Sequence, residues 1–214
     1  MKFKLSCLTI FLVIWFANLP AGAVAANFAN SQFLVTTAWL ADHYNDAGLR
    51  VLDVRNFTDY KQGHIPQALH LDLAEVDTEV NGVRGMLAPV AKIKGILEGK
   101  GISNQTKVVI YDEITGPAAA RVFWILDYLG HSNMALLDGG WLNWTSEKRE
   151  VSRTDPVVER SAYLTNPDPS KLATGLWLLK NLTNPNVTIL DVRSLEEFKG
   201  ADTRAARGGH IPGA

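Results

Sequence analysis

The chain has 214 residues, is 47% hydrophobic and 20% charged, and carries a formal net charge of −1. Such a composition is that of a globular protein with one large or two small domains. It lacks the basic excess of a nucleic-acid binder, and it contains no acidic tract, basic tract or low-complexity segment.

Residues 1–25 stand apart. Lys2 and Lys4 precede an apolar run from Leu5 to Ala17, and Asn18 and Pro20 end it before the small residues Ala21 to Ala25. A positive start, a short apolar middle and a small-residue end are the marks of a secretory signal peptide, with cleavage expected after Ala25. The run falls short of the ~20 residues needed to span a bilayer. The sequence thus predicts a secreted or periplasmic protein with no membrane attachment after cleavage. Cys7 is the only cysteine, so the mature chain would hold no thiol and no disulfide. Loss of Lys2 and Lys4 leaves 19 basic against 22 acidic side chains, a formal net charge of −3.

In chain order, Thr36 to Tyr44 predicts a short capped helix. Arg50 to Val54 is a β-branched run bounded by turn residues, the pattern of a buried strand. Lys107 to Tyr111 and Met134 to Leu137 predict two more strands. Between them, Pro117 to Leu129 predicts a helix. Pro117 suits its first turn, Gly130 suits its end, and Val122, Ile125, Leu126 and Leu129 form its apolar face. Strands alternating with helices imply an α/β fold, a three-layer sandwich around a central parallel sheet. Gly139-Gly140 reads as a tight turn, and the tryptophans as packing residues rather than a binding platform. Ser146 to Ser170 is polar, carries three prolines and has linker composition.

The chain then repeats itself. Trp39-Leu40 recurs as Trp177-Leu178, and Val51 to Arg55 (VLDVR) as Ile189 to Arg193 (ILDVR), at a constant spacing of 138 residues. After eight extra residues around Gly200 to Arg207 the spacing becomes 146, and GHIP at Gly63 to Pro66 recurs at Gly209 to Pro212. This register marks a duplicated domain. The expected organisation is a signal peptide at 1–25, a first domain at 33–145, a linker at 146–170 and the opening of a second copy at 171–214.

LDVR, then GHIP-x-A, the strand VVIYD, the helix AAARVFWIL and the phrase ALLDGGWLNW resemble the rhodanese family. Two copies are similar to its tandem members, the thiosulfate and 3-mercaptopyruvate sulfurtransferases. That resemblance implies the rhodanese-like three-layer sandwich, duplicated. It also implies transfer of sulfane sulfur through a cysteine persulfide to cyanide or another thiophile. The partners implied are a small-molecule sulfur donor and a thiophilic acceptor, with no cofactor, no metal and no nucleic acid. Persulfide chemistry needs a cysteine at a strand-to-helix junction, where backbone N–H groups and a helix dipole favour the anion.

The first copy has Asp112 at that junction, followed by Glu113. A carboxylate accepts no sulfur, so this copy reads as non-catalytic, and Asp112 reads as a cap on the turn and helix. The repeat places the second nucleophile near position ~258 of a continued chain of ~290 residues. The chain of 214 residues is therefore expected to be inactive by itself; the alternative is a secreted non-catalytic rhodanese-like binding module. Asp53 with Arg55, and Asp191 with Arg193, follow strand ends and read as braces between loops; Arg193 is also a weak candidate for holding an anionic donor. His64 and His210 recur in both copies and read as turn bracing rather than acid–base groups. Some family members carry an arginine where Glu197 stands, before Phe198, so the thiosulfate contact such members make is in doubt.

Overall fold

The computed structural model describes residues 30–214. Residues 1–25, read above as a signal peptide, and Cys7 within them lie outside the described residues, and none of the helices described is long and apolar enough to cross a membrane.

The first copy builds one parallel sheet. Its elements run β1 (Leu34–Val35), α1 (Thr37–His43), β2 (Leu49–Asp53), α2 (Phe57–Gln62), β3 (Ala68–His70), α3 (Leu73–Val76), β4 (Asp77–Val80), β5 (Val83–Leu87), α4 (Val90–Gly99), β6 (Lys107–Tyr111), α5 (Pro117–Tyr128), β7 (Met134–Leu137) and α6 (Gly140–Ser146). The strand order is β1-β7-β6-β2-β3, all parallel, so β6 and β2 are central.

Period-two alternation divides each central strand between two cores. Val108 and Ile110 of β6, with Leu52 of β2, meet Ile93 and Leu97 of α4 and Val122, Ile125 and Leu126 of α5. Val109 and Tyr111, with Val51, meet Leu40 of α1 and Trp144 of α6 on the opposite face. Both faces of the sheet are covered, which gives the expected three-layer sandwich and explains the uninterrupted apolar run of β6.

The predicted elements lie within a residue or two of their expected ends. Thr36 caps α1 by accepting the Trp39 N–H, Pro117 occupies the first turn of α5, and Gly130 follows it at φ 81°. β1, α2, β3, α3, α4, α6 and the β4–β5 hairpin carried no expectation; the hairpin is the instructive case. Its turn is Asn81-Gly82, both at positive φ, the residue pair that a two-residue hairpin requires.

The segment 146–170 is irregular, as linker composition implies, yet it lies pinned along the first copy. His64 and Ser152 exchange two backbone hydrogen bonds of 2.9 Å, Ser161 N–H donates to the Glu98 carbonyl, and Asn166 N–H donates to that of Leu129. Tyr163 is buried against the α4–α5 core. Lys94 and Arg160 both pair with the Glu98 carboxylate, the latter at 2.5 Å, and Tyr163 N–H also donates to it. Led by the Lys94 bond, these donors lower the Glu98 carboxyl to about 2.

The second copy contributes α7 (Gly175–Asn181) and α8 (Leu195–Lys199). Thr174 caps α7 through the Trp177 N–H, just as Thr36 caps α1. ILDVR, the counterpart of β2, forms no strand: Leu190 is 79% and Val192 92% exposed, whereas Leu52 and Val54 are 0% and 5% exposed. β2 is held by ladders on both sides, and no described residue pairs with 189–193.

Candidate functional site

The site of interest lies at the carboxyl end of β6, where strand turns into helix. Residues 112–116 form the loop between β6 and α5. The Asp112 side chain folds back into it: Oδ1 accepts the N–H groups of Ile114 at 3.2 Å and Gly116 at 2.7 Å, and Oδ2 accepts that of Ala119 at 3.1 Å. Asp112 is 7% exposed. Three backbone donors and the positive end of α5 thus surround one carboxylate. An anion cradle is present, and the chain's own side chain fills it.

The loop is clamped from α6. Trp141 N–H donates to the Asp112 carbonyl at 2.9 Å and Leu142 N–H to that of Glu113 at 3.0 Å. Gly140 does more than make a tight turn. It has φ 55°, and a Cβ there would lie 2.6 Å from the Asp112 carbonyl oxygen and 2.9 Å from Thr115 N. Only glycine allows this approach. Thr115, itself at φ 62°, donates its hydroxyl to the Leu137 carbonyl.

Beside the loop, Asp53 ends β2 and Arg55 follows it. Arg55 Nε donates to both Asp53 oxygens at 3.1 and 3.2 Å; Nη2 donates to Asp53 Oδ2 at 2.6 Å and to the Gly63 carbonyl at 2.7 Å. Tyr111 donates its hydroxyl to Asp53 at 2.5 Å, and that hydroxyl accepts the Ile65 N–H at 3.1 Å. Burial first, and Asp53 second, push the Tyr111 hydroxyl well up, so it stays a donor. Burial alone would weaken the Arg55 charge, but Asp53 outweighs it. The Arg55 guanidinium also lies over Trp141, 4.1 Å from the ring centroid.

His64 is fully buried. Its Nδ1 faces the Tyr60 carbonyl at 2.9 Å, its Nε2 faces that of Thr154 at 3.2 Å, and its ring stacks on Tyr60 at 4.0 Å. Both nitrogens are engaged by backbone, as in a brace.

The second copy repeats this wiring. Arg193 makes the same set of bonds to Asp191, and its Nη2 donates to the Gly209 carbonyl at 2.9 Å. His210 Nδ1 faces the Phe198 carbonyl at 2.8 Å, and the rings stack at 3.7 Å. The Arg193 hydrogen bond foremost holds the Asp191 carboxyl down at about 2. Arg193 borders an open cavity of about 730 Å³. Glu197 has a local task, closing a capping box with Ser194.

In front of the Asp112 loop is a cavity of about 1070 Å³. Asp112, Glu113 and Arg55 border it, a grouping the sequence reading did not make. Trp141 and Arg153 border it too and were not anticipated. Arg153 comes from the segment read as a linker, where nothing in the local pattern distinguishes it from a solvated charge. Trp141 had a signal, since it follows a glycine pair just after a strand. Among the described residues, no group of three or more His, Cys, Asp or Glu is placed to hold a metal ion.

Residues 36–147 match the rhodanese-like domain. The chain is 32% identical over 200 residues to the sulfur carrier protein TtuD of Thermus thermophilus, covering 87% of this chain and 70% of that protein. The chain belongs to the rhodanese family. It is also 29% identical over 188 residues to the thiosulfate sulfurtransferase of Azotobacter vinelandii (88% of this chain, 69% of the relative). The thiosulfate sulfurtransferase of Corynebacterium glutamicum is 31% identical, covering 87% and 65%. Among solved structures, SseA of Escherichia coli, described as a 3-mercaptopyruvate sulfotransferase, superposes with a TM-score of 0.78 at 23% identity, over 85% of this chain and 72% of that one. This likeness establishes the rhodanese fold. The chain spans 65–70% of the length of these three curated relatives.

Proposed function

We propose that the protein takes part in sulfane-sulfur transfer, with thiosulfate or 3-mercaptopyruvate as donor and cyanide or another thiophile as acceptor, and that its first copy is the non-catalytic partner. In such a reaction a thiolate takes the outer sulfur of thiosulfate and sulfite leaves. The persulfide then gives that sulfur to cyanide, forming thiocyanate and restoring the thiolate. The step needs a nucleophilic sulfur in an anion cradle.

The observation that carries this reading is the filled cradle. Asp112 accepts three N–H groups at the junction where a persulfide would be held. A carboxylate there supplies charge and geometry without a nucleophile. Residues 30–214 contain no cysteine, so this portion does not turn over thiosulfate by itself. Export through the N-terminal leader belongs to the same proposal and rests on the sequence pattern at 1–25.

The test is thiocyanate formation from thiosulfate and cyanide by the purified, leader-free product. No turnover above the protein-free rate is expected. Turnover abolished by no substitution other than one at Asp112 would overthrow the assignment of the first copy. A second reading, a binding module, is favoured by the pinned segment 146–170, which gives the first copy a finished surface. Proteolysis separates the two, since a module that includes 171–214 would resist cleavage there as well as in 33–145.

A further inference from the structure

The cavity before the Asp112 loop holds an unused cation. The Arg55 side chain is only 5% exposed. Its Nε and Nη2 are committed to Asp53 and Gly63, but Nη1 makes no hydrogen bond among the described residues. Glu113 Oε2 lies 4.0 Å from Nη1, on a side chain that is half exposed. Nη1 faces the open cavity rather than a closed interior, so it is a charged donor free to meet an acceptor that enters there.

A second cation borders the same cavity. Arg153 donates Nε to the Gln62 carbonyl at 2.8 Å, and its terminal nitrogens make no hydrogen bond among the described residues. The other acidic groups bordering the cavity are engaged. Asp112 accepts three N–H groups, and Asp59 accepts from the Asn56 side-chain amide. Glu113 alone bonds to nothing more than its loose approach to Arg55. The walls include Val54, Leu73, Trp141 and Val151.

We propose that this cavity binds a small organic carboxylate with an apolar body, held by Arg55 Nη1 and Arg153, and that Glu113 is an internal occupant which the ligand displaces. An anion is called for because two guanidinium groups present free N–H donors, and guanidinium matches a carboxylate in fork geometry. An organic body is called for because a cavity of about 1070 Å³ with apolar walls far exceeds an inorganic oxyanion. Glu113 is the competitor because it is the unbonded carboxylate beside Nη1, with room to swing into solvent. Asp53 already balances Arg55, so the affinity is modest, with a Kd on the order of 1 mM. The site is independent of the sulfur chemistry proposed for the protein.

Titration of the leader-free chain with 3-phenylpropionate, followed by NMR of the Trp141 indole N–H and the Arg55 Nε–H, tests this. Saturable shifts of both are expected. The neutral 3-phenylpropionamide is expected to cause none, and sulfate is expected to bind at least tenfold more weakly. Glu113→Gln should tighten binding, and Arg153→Gln weaken it, each by up to about fivefold, the span of an exposed charge pair. Both side chains are at the surface, so thermal midpoints should hold and serve as the folding control. Absence of saturation, equal binding of the amide or of sulfate, or indifference to both substitutions would overturn the site.

Discussion

The same phrase, LDVR followed by GHIP, occurs in two places with two outcomes. In the first copy LDV lies in or against the centre of a sheet, with Leu52 fully buried; in the second, Leu190 and Val192 face outward. Yet the polar wiring is alike in both. Arg55 and Arg193 bind their aspartates in the same geometry and reach the carbonyl of the glycine in GHIP. The two histidines stack on the same aromatic position. Local wiring is therefore written into some twenty residues, whereas strand formation depends on neighbours elsewhere in the chain. What β2 has, and ILDVR lacks among the described residues, is β6 on one side and β3 on the other.

Hydrogen exchange gives the largest contrast. Amides of Val51 to Asp53 should exchange only through global opening, slower by about 10⁴-fold or more than those of Leu190 to Val192. Comparable protection in both segments would mean that ILDVR has found partners. Next comes the ion pair. Asp53→Asn leaves Arg55 buried beside a neutral group and should cost about 3–5 kcal/mol in urea unfolding. Asp191→Asn, where the Arg193 partner is 42% exposed, should cost no more than about 1 kcal/mol. A third pair tests the apolar positions. Leu52→Ala should cost about 2–5 kcal/mol, while Leu190→Ala should stay within about 0.5 kcal/mol. Smallest is a pH effect within the first copy. Glu98 is held at about 2, below its ordinary 4.5, so its stabilising contribution is complete above about 4.5 and is lost as pH falls toward 2. Glu98→Gln should flatten that acid limb of the unfolding profile; an unchanged limb would remove Glu98 from the account.

Much of the fold was legible because β6, α5 and β7 satisfy every local rule together: apolar runs of strand length, proline at the helix start, glycine past its end. The hairpin was missed although Asn81-Gly82 announces it, because its strands lie off the main sheet and four of β5's five residues are exposed. The site was half legible. Asp112 was identifiable from its place after a strand, and Asp53 and Arg55 from recurrence. Gly140 and Arg153 were not, since their roles are set by approach across the fold: one backbone pressing on another, and a connecting segment returning over the sheet end. Composition marked 146–170 as irregular but carried no sign that Tyr163 would be buried.

The account rests on the cradle at Asp112, and Asp112→Cys interrogates it directly. Intact mass of this variant and of the unaltered leader-free chain, each incubated with thiosulfate, should show one added sulfur on the variant alone, removable by dithiothreitol. The new thiol should titrate below the ordinary ~8.5 of a free cysteine. A sulfur adduct on the unaltered chain, or an introduced thiol that titrates at or above the ordinary value and gains no sulfur, would contradict the claim that the first copy holds a persulfide cradle occupied by a carboxylate.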